Sequence, residues 1–244
     1  MTTNVTFTPV RAISLDLWGT LLRSDPGFKP LRNEFLRSTF APGVTREHFT
    51  QVLRRTDRAL DDVSIRTGKD YDFRERVQAA LTSMDKESPG KVVMETSDQA
   101  WKKVEQVQAD LAREYPPIPL APELPSLLNF LAKRLPLVVT SNTGMLPGVL
   151  MRDLLDLSGF AGVFTGHAFS NEVECCKPWP DIFTAAHAAF CLDDLTRAEV
   201  LHVGDNPVAD VEGALAFGYQ ALLVSAESGQ TVTEGLQGLL EDLD

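Results

Sequence analysis

The sequence predicts an α/β protein: a Rossmann-like parallel-sheet core with an inserted α-helical cap domain. Three observations carry that prediction. In the second half of the chain, short apolar runs alternate with amphipathic stretches, the pattern of parallel strands joined by right-handed helical crossovers. Another apolar run, residues 11–17, stands near the start with no neighbouring strand to pair with, so it must join the same sheet. Between the two, helical periodicity dominates. The expected division is a core of residues 1–23 and 121–244, interrupted by a cap of residues 24–120.

Residues 11–17 (RAISLDL) are β-competent, and Gly19-Thr20 after them marks a tight turn. Ser24-Asp25-Pro26-Gly27 and Pro30 then break regular structure. From about 31 to 115 apolar residues recur at helical spacing. Phe49, Val52, Leu53, Ala59 and Leu60 fall on one face, as do Trp101, Val104, Val107 and Leu111, the inner faces of a helical bundle. Pro116, Pro117, Pro119, Pro122 and Pro125 make a semi-rigid connector, because each fixes φ and removes a backbone donor. Beyond it, the pattern predicts helices at 123–134, from about 147, at 179–190 and at 209–217. Strands are predicted at 136–140, 161–165, 199–203 and 220–224. Gly229, Gly235 and Gly238 leave the last stretch a weak helix or tail.

The 244 residues carry 23 Lys+Arg and 34 Asp+Glu, a net charge of −11. Nucleic acid and anionic membranes reward clustered positive charge, so neither is the expected partner. There is no basic segment followed by a long apolar one at the N-terminus, and no apolar run long enough to span a bilayer. Cys175, Cys176 and Cys191 do not make a disulfide framework; they are expected as free thiols of a cytoplasmic protein, a monomer or homodimer. The charge is divided unevenly: residues 31–115 hold 15 basic and 15 acidic residues, whereas the remainder holds 8 and 19. Arg54, Arg55, Arg58, Arg66, Arg74 and Arg76 are either a solvated face or a source of cations for an anionic substrate.

Ligands of parallel α/β sheets bind at the carboxyl ends of the strands. Asp16 ends the first strand, Thr140-Ser141-Asn142 the second, and Gly204-Asp205 a later one, with Asp210 close behind; Lys177-Pro178 precedes a helix. Clustered carboxylates repel one another, and Mg²⁺ is the hard cation that oxygen ligands and a substrate phosphate would share. Lys177 can neutralise a carboxylate, Ser141 can hold an oxyanion, and Asp16 can act as a nucleophile.

These four segments, in order, resemble the motifs of the haloacid dehalogenase-like (HAD) hydrolase superfamily. They are Asp16-Leu17-Trp18-Gly19-Thr20-Leu21, Ser141-Asn142, Lys177-Pro178, and Gly204-Asp205 with Asp210. The insertion between the first two is similar to the helical cap of one subgroup. The resemblance implies that Asp16 is the nucleophile and a metal ligand. Trp18 would offer its backbone carbonyl to Mg²⁺, and Asp205 and Asp210 would complete the metal site. Ser141, with Thr140 as the alternative one residue earlier, would bind the transferring group, and Lys177 would steady the nucleophile. Trp18, Ser141, Asn142 and Lys177 form the expected substrate-binding set, and the expected substrate is a small phosphorylated molecule.

One position departs from the family's phosphatases, which carry a second Asp two residues after the nucleophile. Here it is Trp18, whose indole has no acid–base chemistry near neutral pH. Four readings follow. The first is a phosphatase whose acid comes from elsewhere, such as His48 or a cap carboxylate, or whose leaving group needs no proton. The second is a 2-haloacid dehalogenase, since halide leaves unprotonated. The third is a phosphonate hydrolase using Lys29 or Lys69, and the fourth a non-catalytic binding module. Trp179 is expected to pack, Asn206 to support its loop, and His167, His187 and His202 to be structural.

Overall fold

The computed structural model describes residues 9–93, 97–225 and 228–243. Its centre is a parallel five-stranded sheet in the order β5-β4-β1-β6-β7. The strands are β1 (Ala12–Leu15), β4 (Leu137–Ser141), β5 (Gly166–Phe169), β6 (Val200–Gly204) and β7 (Gln220–Leu223). The isolated N-terminal run therefore becomes the central strand: Ser14 lies beside Val138 of β4 on one side and His202 of β6 on the other. All residues of β1, β4 and β6 are buried, as expected of strands covered on both faces by helices.

After β1 the chain makes a short strand β2 (Leu22–Arg23), which pairs antiparallel with β3 (Ile118–Pro119). Between these two lie the four helices α1 (Phe28–Phe40), α2 (Arg46–Thr67), α3 (Phe73–Glu87) and α4 (Asp98–Glu114). So the proline-rich connector is not featureless: part of it forms one side of a ribbon at the base of the insertion. Side-chain caps set the helix starts. Thr45 accepts from the His48 amide, Asp72 and Glu75 form a capping box, and Ser97 accepts from the Ala100 amide. The four helices bury a core of their own around Phe40, Phe49, Val77, Met84, Trp101 and Val104. Each such side chain contributes roughly 1.5–3 kcal/mol when fully buried.

The apolar stripe of α2 is shorter than its periodicity predicts. Phe49, Val52 and Leu53 are buried, but Ala59 is exposed and Leu60 only half-buried. The second half of this helix faces a cavity, where polar residues replace the core. In α4 the buried positions after Trp101 and Val104 are Gln108 and Ala112, with Val107 and Leu111 half-buried.

The second half of the core contains α5 (Leu124–Leu131), α6 (Gly148–Leu155), α7 (Ser170–Val173), α8 (Pro180–Ala189), α9 (Gly213–Phe217) and α10 (Val232–Leu243). Three expectations need correction. The strand expected at 161–165 lies at Gly166–Phe169, because the chain runs on past α6 through Asp156–Phe160, breaks at Gly159 with φ +92°, and continues in turns. Val163 is buried from within that turn, so apolarity there signals packing rather than a strand. The helix expected at 209–217 begins earlier, with a π-helical turn Pro207–Glu212 capped by the Asn206 side chain. Finally, α10 is a packed helix: Val232, Leu236 and Leu239 are buried against the main core. Among the described residues no helix is long and apolar enough to cross a membrane.

Candidate active site

The site gathers at the carboxyl ends of β1, β4 and β6. Asp16 follows β1, and its amide donates to the Val203 carbonyl at 3.0 Å, fixing it beside the end of β6. The loop after it is compact, with the amides of Leu21 and Leu22 both 2.8 Å from the Leu17 carbonyl. Gly19 has φ +88°, and a Cβ there would collide with the Asp205 carboxylate, so only glycine lets this loop approach β6 so closely. Carboxylate oxygens of Asp16, Asp205 and Asp210 lie within 4.8 Å of one another.

Lys177 sits in their midst, 2 % exposed. Its Nζ lies 2.7 Å from Asp16 Oδ1, 2.7 Å from Asp210 Oδ1 and 2.7 Å from the Thr140 carbonyl. An ammonium has three donors, and all three are used. The structure thus places Lys177 on the nucleophile, bridging it to Asp210 and to the end of β4. Asn142 is similarly engaged. Its side chain accepts from the Lys177 amide at 2.8 Å and donates to the Lys177 carbonyl at 3.2 Å, clamping that residue's backbone. Ser141 ends β4 fully buried, and its hydroxyl has no hydrogen-bond partner among the described residues. Thr140 is unsuited to replace it, because its own hydroxyl is 2.7 Å from Ser14 Oγ.

Burial pushes the Asp16 carboxyl up to about 6; Lys177 opposes this, and Asp210 and Asp205 add to it. Burial also works against an ionised Asp210, but Lys177 and His202 together outweigh it and hold that group well below the usual carboxylate range. Asp205, half-buried, is raised by burial and by Asp210. Burial depresses Lys177, yet Asp16 and Asp210 more than compensate, so it stays protonated. The donor set is oxygen-only and carries three carboxylates against one ammonium, which fits a hard divalent cation.

Behind the carboxylates runs a second set of contacts. His202, fully buried on β6, has Nε2 3.2 Å from Asp210 Oδ1 and Nδ1 2.8 Å from Ser14 Oγ. It is not a detached structural histidine but a support of the site. Burial holds its ring below the usual histidine range, hence neutral. Asp210 also accepts from the Asn206 amide at 2.9 Å, so the role of Asn206 is to cap the turn that presents Asp210.

Trp18 is half-buried and lines two adjoining spaces. One is a cleft of about 260 Å³ over Asp16, Lys177, Asp205 and Asp210. The other is a chamber of about 710 Å³ between α1, α2 and the loop after β4. They share Trp18, Asp61, Arg76, Asn142 and Gly144. Of the six insertion arginines singled out above, Arg54, Arg58 and Arg76 line the chamber. Arg76 is tied to Asp57 and Asp61, Arg74 to Asp98 and Arg55 to Glu87. Arg32, which no sequence pattern singles out, is buried in the chamber wall and bonds to Asn33, with no carboxylate in a salt bridge with it among the described residues. Burial lowers its pKa to about 10, so it stays charged at neutral pH. Lys29 lines the same wall, whereas Lys69 pairs with Glu75 at the surface. His48 lies 3.5 Å from Glu87 and lines neither space.

Ser14, Arg32, Asp61 and His202 were not among the expected site residues. Ser14 and His202 had one legible signal, a polar residue inside an otherwise apolar central strand. Arg32 and Asp61 had none.

Comparison with known proteins places the chain. A model of the haloacid dehalogenase-like hydrolases matches residues 10–218. No curated protein sequence matches. Among solved structures, magnesium-bound YfnB from Bacillus subtilis superposes with a TM-score of 0.64 at 17 % identity, covering 89 % of each chain. A HAD phosphatase from Thermococcus onnurineus gives 0.58 at 18 % identity, over 88 % of this chain and 86 % of the other. L-2-haloacid dehalogenase from Xanthobacter autotrophicus gives 0.58 at 22 % identity, over 88 % of this chain and 77 % of the other. At these identities the likeness is one of fold, shared alike with a phosphatase and a dehalogenase. With the family model matching most of its length and an aspartate, a buried lysine and two further carboxylates converging at the strand ends, this chain belongs to the haloacid dehalogenase-like hydrolases.

Proposed function

We propose that the protein is a Mg²⁺-dependent phosphatase that acts on a small phosphorylated molecule through an aspartyl-phosphate on Asp16. The observation that carries this reading is the acidic triad. Asp16, Asp205 and Asp210 meet around a single lysine, leaving two uncompensated negative charges. Halide displacement would gain nothing from that charge beside its nucleophile, whereas a divalent cation shared with a phosphate balances it. Asp16, Asp205 and the Trp18 carbonyl, with Asp210 behind them, are the groups that would hold Mg²⁺. When bound, it neutralises charge on the transferring phosphoryl oxygens.

The chain's own residues supply the rest. Asp16 attacks phosphorus, with Lys177 holding its second oxygen and keeping the carboxylate oriented. The Ser141 hydroxyl, without a hydrogen-bond partner among the described residues, is the donor for a phosphoryl oxygen. Water then hydrolyses the aspartyl-phosphate. The chamber suits an anionic substrate, because Lys29 and Arg32 line it and neither forms a salt bridge among the described residues, although Asp57 of the same chamber partly offsets their charge. A second reading, a 2-haloacid dehalogenase, is favoured by Trp18 alone, since an indole in place of an acid is harmless when the leaving group is halide.

Phosphate release from p-nitrophenyl phosphate and acetyl phosphate, with Mg²⁺ or EDTA, tests this, with Asp16→Asn as the blank. Release that needs the metal and vanishes in the variant is expected. If the folded protein releases no phosphate but frees chloride from 2-chloropropionate, the dehalogenase reading replaces this one.

A further inference from the structure

A leaving alkoxide needs a proton, and Trp18 cannot give one. General acid catalysis is worth about 10²–10⁴-fold, so its source matters. We infer that Asp61, carried by α2 of the helical insertion, is the general acid–base of the Asp16 centre; this rests on the phosphatase reading above.

Elimination comes first. The titratable side chains lining the cleft are Asp16, Asp61, Arg76, Cys176, Lys177, Asp205 and Asp210. Four of them form the centre itself. The Arg76 guanidinium gives up no proton at accessible pH. The Cys176 thiol lies 3.3 Å from Asp70, and burial together with that neighbour pushes it up to about 12. Asp61 is left. It is also the only carboxylate of the insertion, among the described residues, that lines the cleft; Asp57 reaches only the chamber.

Its placement is built by the fold. Asp61, Ser64 and Ile65 lie at i, i+3 and i+4 on one face of α2, and all three line the cleft. The end of this helix is fastened to the loop that carries Lys177: Trp179 Nε1 donates to the Ile65 carbonyl at 3.0 Å, and the Cys176 amide to the Gly68 carbonyl at 2.9 Å. The same loop therefore sets both Lys177 and the helix face bearing Asp61. Arg76, buried, donates from one nitrogen to Asp61 Oδ1 at 2.7 Å and to Asp57 Oδ1 at 2.6 Å. No hydrogen bond engages Asp61 Oδ2 among the described residues, so this oxygen is free to meet a leaving group. Two carboxylates share one guanidinium, which leaves room for one proton on the pair. Partial burial raises the Asp61 carboxyl above the ordinary range; Arg76 opposes, and Asp57 and Asp62 raise it further.

The step balances as follows. An Asp16 oxygen bonds to phosphorus while the phosphorus–alkoxide bond breaks, and the Asp61 proton passes to the leaving oxygen. The Asp61 carboxylate then takes a proton from water as that water's oxygen bonds to phosphorus. The bond to Asp16 breaks, phosphate departs, and both aspartates return to their starting states.

The test compares glycerol 2-phosphate, whose leaving group needs a proton, with p-nitrophenyl phosphate, whose leaving group does not. In Asp61→Asn, kcat for glycerol 2-phosphate is expected to fall by about 10²–10⁴-fold with KM nearly unchanged. With p-nitrophenyl phosphate a stoichiometric burst of nitrophenolate should survive and be followed by slow turnover, because hydrolysis of the intermediate has lost its base. Asp61→Glu should recover part of the rate, and adding Trp18→Asp to Asp61→Asn should restore turnover of glycerol 2-phosphate. Asp61 is half exposed, so the fold should tolerate these changes, and melting temperatures check that. If folded Asp61→Asn keeps kcat for glycerol 2-phosphate within about threefold, or loses the burst and turnover equally, Asp61 is not the acid. If the wild-type protein hydrolyses neither ester, the phosphatase reading fails and takes the assignment with it.

Discussion

His202 shows how one side chain can decide the state of several others. A neutral imidazole has one N–H. With that proton on Nε2 it donates to Asp210, and Nδ1 accepts from Ser14, whose oxygen in turn accepts from Thr140. The other tautomer would turn a lone pair toward a carboxylate. Because the Thr140 carbonyl also holds Lys177 Nζ, the contacts close into a ring running through Lys177, Asp210, His202, Ser14 and Thr140. Replacing His202 by Phe preserves volume but strands Ser14 and one bond of Asp210. Each unsatisfied buried polar group costs about 1–3 kcal/mol, so denaturant titration should find the variant roughly 2–5 kcal/mol less stable. A loss below about 0.5 kcal/mol would mean that the ring holds nothing together.

Among the elements, α2 has a double role. Its first half packs into the helical core through Phe49, Val52 and Leu53, and its second half lines the cleft. The helix stops at Gly68, whose φ of +77° ends it in the left-handed region and lets the Trp179 ring pack over bare backbone. Trp179 is 41 % exposed, so removing it uncovers little core. Trp179→Ala should therefore change the melting temperature slightly, yet lower kcat/KM by about ten- to a hundredfold, because small displacements of a catalytic face are expensive. An unchanged kcat/KM would show that this fastening does not set the position of α2.

The whole molecule concentrates its charge. All of the net −11 lies outside residues 31–115, and the three carboxylates of the site belong to that acidic part. Asp16 must be ionised to attack, and without a cation its carboxyl is pushed up to about 6. Protonation below that pH removes the nucleophile, so kcat/KM should fall on the acid side near 6 at low Mg²⁺. An adjacent positive charge favours the carboxylate, so raising Mg²⁺ should shift that limb to lower pH. A limb that stays fixed across a Mg²⁺ titration would argue that no cation binds beside Asp16.

The sequence by itself determined the α/β class, the joining of β1 to the sheet and the residues that meet at the strand ends, since most of those residues sit next to a strand whose apolar run is local information; the central position of β1 came only with the tertiary structure. It also exposed the anomaly at Trp18, because that position is defined by its distance from Asp16 along the chain. Only the tertiary structure decided that Lys177 bridges Asp16 and Asp210, that Asn142 clamps its backbone, and that His202 stands behind Asp210. Arg32 and Asp61 were invisible beforehand for a physical reason. They lie on amphipathic helices, where a charged residue facing a cavity has the same local pattern as one facing solvent. What separates them is the helix packing, which turns one face of α1 and α2 toward the ends of strands far away in sequence.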